Sequence, residues 1–325
     1  MINPENFKSE IFSLQSSQFN DYALLIYNYQ FENNIVYKHY CQQLNRTPKE
    51  VKTVNQIPFL PIEFFKTQKV VTGDYNAEKI FKSSGTTQQQ RSHHFVRDLA
   101  FYHHIAQHTF EGFYRSLSGY EILALLPSYQ EQGDSSLISM VDFFMSKAAP
   151  TSKYFLNKPQ ELVDQLNQPK STKRLIIGVS YALLDLVEHY QMHHPELIVM
   201  ETGGMKGRRK EMIREELHAI LKKGFGVASI HSEYGMSELT SQAYSIDGTF
   251  KLPDWARIVI RDTNDPLALL GEGKTGGINI IDLANIHSCS FIETKDLGKI
   301  NPNGTFEVLG RFDNSDIRGC NLLVS

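Results

Sequence analysis

The sequence is poor in cysteine and has no long apolar run. Its three cysteines, Cys41, Cys289 and Cys320, are odd in number and far apart among 325 residues. No C-x-x-C pair occurs, which argues against a disulfide framework or a zinc knuckle and fits a reducing compartment. No stretch reaches the length of a membrane span, and the start, M-I-N-P-E-N-F-K, lacks a signal-peptide core. We therefore expect a cytoplasmic protein without stable membrane insertion.

An excess of basic charge is also missing. The formal net charge is −3 and the sequence pI is about 6.5. Because neutralising nucleic-acid phosphates needs a basic surface, we expect no nucleic-acid partner. Hydrophobic residues make up 41% of the chain and charged residues 21%. That composition is typical of an ordered globular protein with one large domain or two modest ones.

The order of apolar segments predicts the fold class. After helices in residues 1–46 and over Arg97–Leu117, apolar strand patterns alternate with helical ones. The main predicted strands are Glu121–Leu126, Arg174–Val179, Glu196–Glu201 and Val227–His231, and a helix over Ser180–His193 that Ser180 caps follows the second of them. This alternation predicts an α/β fold with a doubly wound, mainly parallel sheet, in which ligands bind at the carboxyl ends of the strands. We expect three of these ends to carry polar turns that contain glycine, namely Ser83–Thr87, Thr202–Gly207 and Ser232–Glu238.

The pattern changes at Trp255, where short strands separated by Gly-, Asn- and Asp-rich turns begin. They predict an antiparallel β subdomain, either a small barrel or a meander. We therefore expect a region over 1–254 that carries the ligand site, the β subdomain over 255–313, and a short tail over 314–325.

A cluster of small residues around Gly85 is the first candidate site. In F-K-S-S-G-T-T, 81–87, the extended segment Ala77–Ser83 leads into a turn. Such a loop offers backbone N–H and hydroxyl donors to a phosphate, and the hydroxyls that crowd around Gly85 belong to Ser83, Ser84, Thr86 and Thr87. It lacks the Walker spacing, and a loop of this composition taken alone is more often a plain turn.

Three later segments give this loop its meaning: E-Y-G-M-S-E at 233–238, T-K-D-L-G at 294–298 and G-R-F-D-N at 310–314. In this order the four segments resemble the motifs of the adenylate-forming superfamily, which includes acyl-CoA synthetases and luciferases. The resemblance implies ATP and Mg²⁺ as cofactors and a large α/β domain of the N-terminal type seen in these enzymes.

The resemblance also implies roles for individual residues. The loop with Ser83, Ser84, Gly85, Thr86 and Thr87 would hold the β- and γ-phosphates. In the second segment Glu238 would bind Mg²⁺, Ser237 would bond the α-phosphate, and Tyr234 with Gly235 would meet the adenine. Asp296 would accept from the ribose hydroxyls, assisted by Arg311, and the turn T-G-G-M-K-G at 202–207 adds Gly203 and Gly204 to the nucleotide site. Tyr234 as a core aromatic and Asp296 as a turn residue are the plain alternatives.

A narrower resemblance is to the LuxE-type acyl-protein synthetases, which activate fatty acids for an acyl-CoA reductase partner. It rests on I-P-F-L-P-I-E-F-F-K at 57–66, T-G-G-M-K-G, and the terminal R-G-C-N-L at 318–322. It implies a carboxylic acid substrate of the fatty acid class, for which Tyr129, Gly133 and Ser136 are the candidate pocket residues. It also implies transfer of the acyl group to Cys320 or to an acceptor protein, and Cys289 is the alternative nucleophile.

Two departures from the superfamily pattern stand out. The sequence ends shortly after Asp313, so we expect the usual mobile C-terminal domain and its catalytic lysine to be missing or vestigial. Lys295 also stands where glycine is usual. Lys206 is the candidate replacement cation, and a solvated loop lysine is its alternative. The function predicted is ATP-dependent acyl-protein synthesis, and the alternatives are an acid–CoA or aryl–CoA ligase and a degenerate subunit that docks on a reductase.

Overall fold

The computed structural model of the chain describes residues 2–83, 90–128, 132–169, 171–203 and 212–311. These residues form two compact units. The first unit comprises the described residues of Met1–Ile105, Ser237–Ser241 and Lys251–Ser325, and the second comprises those of Ala106–Met236 and Gln242–Phe250. No helix in the described ranges is both long enough and apolar enough to cross a membrane.

Nine helices and fifteen strands are assigned within the described ranges. The helices are α1 Pro4–Glu10, α2 Phe19–Asn33, α3 Ile35–Gln43, α4 Phe64–Thr67, α5 Leu99–Tyr114, α6 Ser136–Lys147, α7 Pro159–Leu166, α8 Ser180–His189 and α9 Arg214–Phe225. The strands are β1 Leu60–Pro61, β2 Lys79–Lys82, β3 His93–Val96, β4 Tyr120–Leu125, β5 Lys153–Tyr154, β6 Lys173–Val179, β7 Ile198–Thr202, β8 His231–Tyr234, β9 Ala243–Ile246, β10 Thr249–Lys251, β11 Ala256–Arg261, β12 Leu269–Leu270, β13 Thr275–Asp282, β14 Phe291–Ile300 and β15 Phe306–Arg311.

A parallel sheet forms the centre of the second unit. Its strand order is β5-β4-β6-β7-β8, and every neighbouring pair in that series is parallel. The chain moves to one side from β4 to β5 and then to the other side through β6, β7 and β8. Because crossovers between parallel strands are right-handed, this reversal places α6 and the later helices on opposite faces. The doubly wound parallel sheet is therefore confirmed, and the carboxyl ends of β6, β7 and β8 lie at one edge.

Strand β8 begins later than predicted. Helix α9 ends at Phe225 and is capped by Gly226, whose φ of 69° is the left-handed conformation that favours glycine. The chain then remains irregular up to Ile230, so the predicted strand Val227–His231 overlaps β8 only at His231. Strand β9 pairs antiparallel with β8, and a tight turn at Asp247 and Gly248, both with positive φ, leads into β10.

The first unit contains an antiparallel sheet. Strand β11 pairs with β12 and β13, and β13, β14 and β15 follow one another as a meander. This is the change to short antiparallel strands that the turns after Trp255 predict. Strand β1, from the segment rich in proline, adds a parallel pairing to β14, with Leu60 opposite Ile292 and Pro61 opposite Glu293.

The N-terminal helices pack on this sheet through aromatic rings. Asn34 separates α2 from α3, and its side chain accepts the Tyr37 N–H as a helix cap. The buried Tyr37 ring stacks on Phe291 of β14 with ring centroids 6.0 Å apart. Tyr27 of α2 meets the same Phe291 ring edge-on at 6.3 Å. Removing one such buried ring typically costs about 3–5 kcal/mol, so these contacts hold the helical pair on β14.

The strand before the Gly85 turn does not belong to the parallel sheet. Strand β2 pairs antiparallel with β3 as a separate two-stranded sheet, with Lys82 opposite His93. The sequence analysis placed Ser83–Thr87 at the carboxyl end of a parallel strand, and that placement is wrong. Strand β3 is only four residues long and comes shortly before α5.

Candidate active site

Glu238 is a buried carboxylate at the centre of the candidate site in the first unit. Its side chain accepts a hydrogen bond from the Ser92 hydroxyl, and the residue is only 5% exposed. Burial raises the pKa of Glu238, whereas the Ser92 hydrogen bond and the charges of Arg311 and Lys66 oppose that rise. The site is therefore suited to a positive ligand that would complete the neutralisation of this carboxylate.

The backbone on either side of Glu238 is held by two side chains. His94 donates through Nδ1 to the Ser237 carbonyl at 2.8 Å, and the Asn285 amide donates to the Glu238 carbonyl at 2.8 Å. Burial lowers the pKa of His94 to about 4, so the ring is neutral at ordinary pH. Both contacts come from residues far away in the chain, and together they fix the direction of the Glu238 side chain.

Asp282 holds the next part of the same segment. Its carboxylate accepts from the backbone N–H groups of Thr240 and Ser241 at 2.9 and 2.8 Å. The Ser241 hydroxyl donates to the other carboxylate oxygen at 2.7 Å and accepts from the Trp255 indole N–H at 2.9 Å. Residues 237–241 are thus bound to the antiparallel unit rather than left as a free loop.

Ser83, the first residue of the predicted phosphate loop, is linked to Glu238 through Ser92. The Ser92 N–H donates to the Ser83 hydroxyl at 3.0 Å, and the Ser83 N–H donates to the Ser92 carbonyl at 3.3 Å. Arg91 donates through Nε to the Ser83 carbonyl at 2.5 Å. Since the Ser92 hydroxyl also donates to Glu238, Ser92 connects Ser83 to that carboxylate through hydrogen bonds to both residues. The predicted phosphate ligands Ser84, Gly85, Thr86 and Thr87 lie outside the described residues.

Asp296 and Arg311 face each other across β14 and β15. They are register partners, and Arg311 Nε lies 3.4 Å from Asp296 Oδ1. The Asp296 side chain is largely buried, whereas that of Arg311 is 74% exposed. Since the charge of Arg311 also acts on Glu238, the first unit brings Ser83, Glu238, Asp296 and Arg311 into one region. Asp296 lies within a strand, so the plain reading of it as a turn residue is wrong.

The second unit holds the remaining predicted nucleotide residues. Tyr234 ends β8, and its ring meets Phe250 edge-on with centroids 5.7 Å apart. The Arg214 guanidinium also lies against this cluster, 4.9 Å from the Phe250 centroid. Tyr234 is half-buried and Gly235, which follows it, is exposed. Tyr234 is therefore braced on one side and has partial access to solvent.

A buried polar group lies where β6 and β7 end. The Ser180 hydroxyl donates to the Gly203 carbonyl at 2.7 Å and to Glu201 at 3.2 Å. The expectation that Ser180 caps α8 is wrong, because Val179 takes the N-cap position without a side-chain cap and the hydroxyl is used by these acceptors instead. Gly203 has a φ of 65°, the left-handed conformation. Gly204 and Lys206 of the same turn lie outside the described residues.

Glu233 is a titratable group that the sequence analysis missed. The Thr202 hydroxyl donates to it at 2.6 Å. Burial raises the pKa of Glu233 to about 7; the Thr202 hydrogen bond opposes the rise and the nearby Glu201 charge adds to it. A Cβ added at the nearby Gly235 would lie 2.5 Å from the Glu233 carboxylate, so a glycine at this position leaves room for the Glu233 side chain.

The predicted acyl-pocket residues and acceptor thiol are only partly described. Gly133 and Ser136 are half-buried, and Ser136 begins α6; Tyr129 and Cys320 lie outside the described residues. Cys289, the alternative nucleophile, is fully buried. Burial raises its pKa well above the ordinary thiol range, which makes it a poor nucleophile.

The sequence reasoning also missed Ser92, His94 and Asn285. Ser92 and His94 alternate with His93 and Phe95 along the segment that returns from the Gly85 turn. That period-two pattern is a signal for a strand, and it would have placed both polar side chains on one face. Asn285 carries no comparable signal, because its partners are distant backbone carbonyls.

The donor set fits Mg²⁺ in the manner that nucleotide enzymes use. Among the described residues no three carboxylate, imidazole or thiol side chains gather into a metal cluster. Mg²⁺ commonly binds through one or two carboxylates together with water and substrate phosphates, so a single buried carboxylate close to the predicted phosphate loop matches it. Glu238 is the residue that would hold the ion.

Similarity to known proteins is found at the level of three-dimensional structure and not at the level of sequence. No protein-family model matches the sequence, and no curated protein matches it. Among solved structures, ATP-bound MatB from Rhodopseudomonas palustris aligns with 71% of this chain and 47% of its own, at TM-score 0.52 and 17% identity. O-succinylbenzoate coenzyme A synthetase (MenE) from Bacillus subtilis, bound to ATP and a magnesium ion, aligns with 73% of this chain and 51% of its own, at TM-score 0.54 and 16% identity.

A third structure matches over more of the chain. 2-Hydroxyisobutyryl-CoA ligase in complex with 2-HIB-AMP and CoA aligns with 90% of this chain and 74% of its own, at TM-score 0.64 and 13% identity. The chain spans about half the length of the MatB and MenE chains. At these identities the likeness establishes the fold alone: the chain shares the α/β fold of the aligned parts of these three proteins, as the motif resemblance implied.

Proposed function

We propose that this protein activates a carboxylic acid, of the fatty acid class, as an acyl-adenylate at the expense of ATP and passes the acyl group to a thiol. The observation that carries the proposal is the position of Glu238, which is bonded to Ser92 at the mouth of the phosphate loop. Asp296 and Arg311 form an ion pair in the same unit. The fold shared with a CoA synthetase bound to ATP and with a CoA ligase bound to 2-HIB-AMP supports the same reaction class.

The chemistry assigns a task to each group. A carboxylate oxygen of the acid attacks the α-phosphorus, the bond from that phosphorus to the bridging oxygen breaks, and the electron pair leaves with pyrophosphate. Mg²⁺, when bound, neutralises phosphate charge. Glu238 would hold the ion, Ser237 would bond the α-phosphate, and Asp296 would accept from the ribose hydroxyls. Tyr234, braced by Phe250, would stack on adenine with Gly203 and Gly204 nearby in the nucleotide site.

The second half-reaction transfers the acyl group from the adenylate to sulfur and releases AMP. We propose Cys320 as the acceptor thiol, with an acyl-CoA reductase or another acceptor protein receiving the group afterwards. Burial of Cys41 and Cys289 supports this choice, since neither thiol is accessible. A loss of the acid-stable, hydroxylamine-labile acyl label in Cys320→Ser is the expected result, and full labelling of that variant would contradict the assignment.

A CoA ligase is the second candidate, and one observation favours it. Two of the three similar solved structures are named as CoA enzymes, and one of them contains CoA itself. In that case free CoA would consume the adenylate and release acyl-CoA, and Cys320 would not be acylated. Incubation with ATP, acid and CoA, followed by chromatography for acyl-CoA, separates the two acceptors.

ATP–pyrophosphate exchange tests the first half-reaction. The full chain is incubated with labelled pyrophosphate, MgATP and a panel of straight-chain fatty acids and aryl acids, and label entering ATP is counted. Exchange that depends on one class of acid is expected. Glu238→Gln should lower its rate by roughly 100-fold, the usual size for one electrostatic partner of a transition state. Exposed Glu272→Gln is the matched control. Absence of exchange with every acid would contradict adenylation and favour a docking subunit.

A further inference from the structure

The segment that precedes the phosphate loop is fastened to the site by β14. Besides the β1 pairing, the Ile62 N–H donates to the Glu293 carbonyl at 2.9 Å. Lys295 Nζ then lies 2.6 Å from Glu63 Oε1. Lys295, which stands where glycine is usual and is next to Asp296, therefore forms an ion pair with the residue at the start of α4.

The next residues of the same segment reach the Glu238 region. Phe65 of α4 is fully buried, and its ring meets the His94 imidazole edge-on with centroids 6.3 Å apart. His94 is the residue that holds the Ser237 carbonyl. Helix α4 is thus fixed at one end by Glu63 and Lys295 and at its middle by Phe65.

Lys66 follows Phe65 and differs from the other cations of the region. Its side chain is exposed, and it directly follows Phe65, whose ring contacts His94 beside Ser237. Arg91 bonds backbone carbonyls, Lys295 pairs with Glu63, and Arg311 pairs with Asp296. Within the described parts of the chain, the Lys66 ammonium makes no ion pair or hydrogen bond, so it is available for an anion.

We propose that Lys66 is a catalytic residue that binds the β- and γ-phosphates of ATP and neutralises the pyrophosphate leaving group. This inference rests on the proposed function and adds a cation to it. As the bond to the α-phosphorus breaks, the electron pair adds negative charge to the departing pyrophosphate. A fixed ammonium stabilises that charge more in the transition state than in bound ATP.

The placement of Lys66 explains why two distant sequence features occur together. The segment I-P-F-L-P-I-E-F-F-K supplies Glu63, Phe65 and Lys66, and the T-K-D-L-G segment supplies the Lys295 that holds Glu63. Helix α4 has a single turn, and the ion pair between Glu63 and Lys295 orients it so that Lys66 points at the phosphates. Lys295 is then a positioning residue, acting on Lys66 through Glu63.

The test compares Lys66→Ala, Lys66→Arg and Lys69→Ala in the full chain. Lys69 is the matched control, because it is also exposed and its ammonium lies over Phe95, 5.6 Å from the ring centroid. Two quantities are measured at constant ionic strength: the affinity for inorganic pyrophosphate by calorimetry, and the rate of acid-dependent ATP–pyrophosphate exchange. Lys66→Ala should weaken pyrophosphate binding and slow exchange by roughly 10- to 100-fold. Lys66→Arg should restore part of both, and Lys69→Ala should change neither.

The outcomes separate this inference from the proposed function. Wild-type affinity and exchange in Lys66→Ala would overturn the role of Lys66 and leave adenylation standing. Equal losses in Lys66→Ala and Lys69→Ala would also overturn it, since they would indicate general surface charge. Weaker pyrophosphate binding in Lys66→Ala alone, with no exchange by the wild type on any acid, would support Lys66 as a phosphate ligand and contradict the adenylation proposal.

Discussion

Asp282→Asn tests whether Glu238 is held in place by a buried carboxylate. Asp282 is fully buried, and one of its oxygens accepts from the N–H groups of Thr240 and Ser241. The other oxygen accepts from the Ser241 hydroxyl at 2.7 Å and the Ala284 N–H at 3.2 Å. Burial raises the pKa of Asp282, and these four donors oppose the rise. A carboxylate satisfies all of them.

Asparagine cannot do the same. Its amide has one acceptor oxygen and one NH₂ group, so two of the four donors must face another donor whichever way the amide turns. A buried donor left without a partner costs about 1–3 kcal/mol. Allowing for rotation of the Ser241 hydroxyl, which can donate elsewhere, we expect Asp282→Asn to lower the free energy of unfolding by about 3 kcal/mol.

The single tryptophan of the chain reports on this region directly. Trp255 donates to the same Ser241 hydroxyl and is only 6% exposed, so its fluorescence follows unfolding of the first unit in urea. Asp254→Asn is the control, since Asp254 is exposed beside the reporter, and it should change stability by less than about 0.5 kcal/mol. A loss below about 1 kcal/mol for Asp282→Asn would refute the reasoning, as would an unchanged exchange rate, because a displaced 237–241 segment must also displace Glu238.

Three further outcomes follow from other parts of the molecule. The raised folded-state pKa of Glu233, about 7 against an ordinary 4.5, means that the folded state holds a proton which the unfolded chain releases, so stability falls as pH rises between those values. Glu233→Gln should remove that dependence of stability on pH. In urea titrations it should be more stable than the wild type by up to about 3 kcal/mol near pH 8, with little difference near pH 4. The same stability difference between the two proteins at both pH values would contradict this. A Cβ on Gly298 would lie 2.4 Å from the Glu307 carbonyl, so Gly298→Ala should lower the thermal midpoint and cost about 1–3 kcal/mol, whereas Gly271→Ala, with open space around it, is the control that should not. Burial raises the pKa of Cys41 to about 12, and Cys289 is equally buried, so both thiols should resist a thiol reagent at pH 8 in the native state. We therefore expect Cys320→Ser to abolish rapid labelling. Rapid labelling that persists in this variant would show that the reagent reaches one of the buried thiols through local opening of the fold.

Local sequence patterns were enough to predict the class of fold and the order of its parts. Strand–helix alternation from Glu121 onward and the shift to short strands after Trp255 are such patterns, since burial of one face of each element repeats along the chain with the period of that element. The residues Glu238, Asp296 and Arg311 could be named because their segments resemble the motifs of a known superfamily.

How those residues are held, and what surrounds them, depends on contacts between distant segments. The hairpin of β2 and β3 does not belong to the parallel sheet, and Ser180 bonds Glu201 and Gly203 rather than its own helix. Ser92 meets Glu238 across 146 positions of the chain, and Glu63 meets Lys295 beside the β1–β14 pairing. A hydroxyl, imidazole or ammonium can bond many partners, and which one it takes is set by the packing of elements distant in sequence. The local sequence pattern therefore does not predict the hydrogen-bond partner.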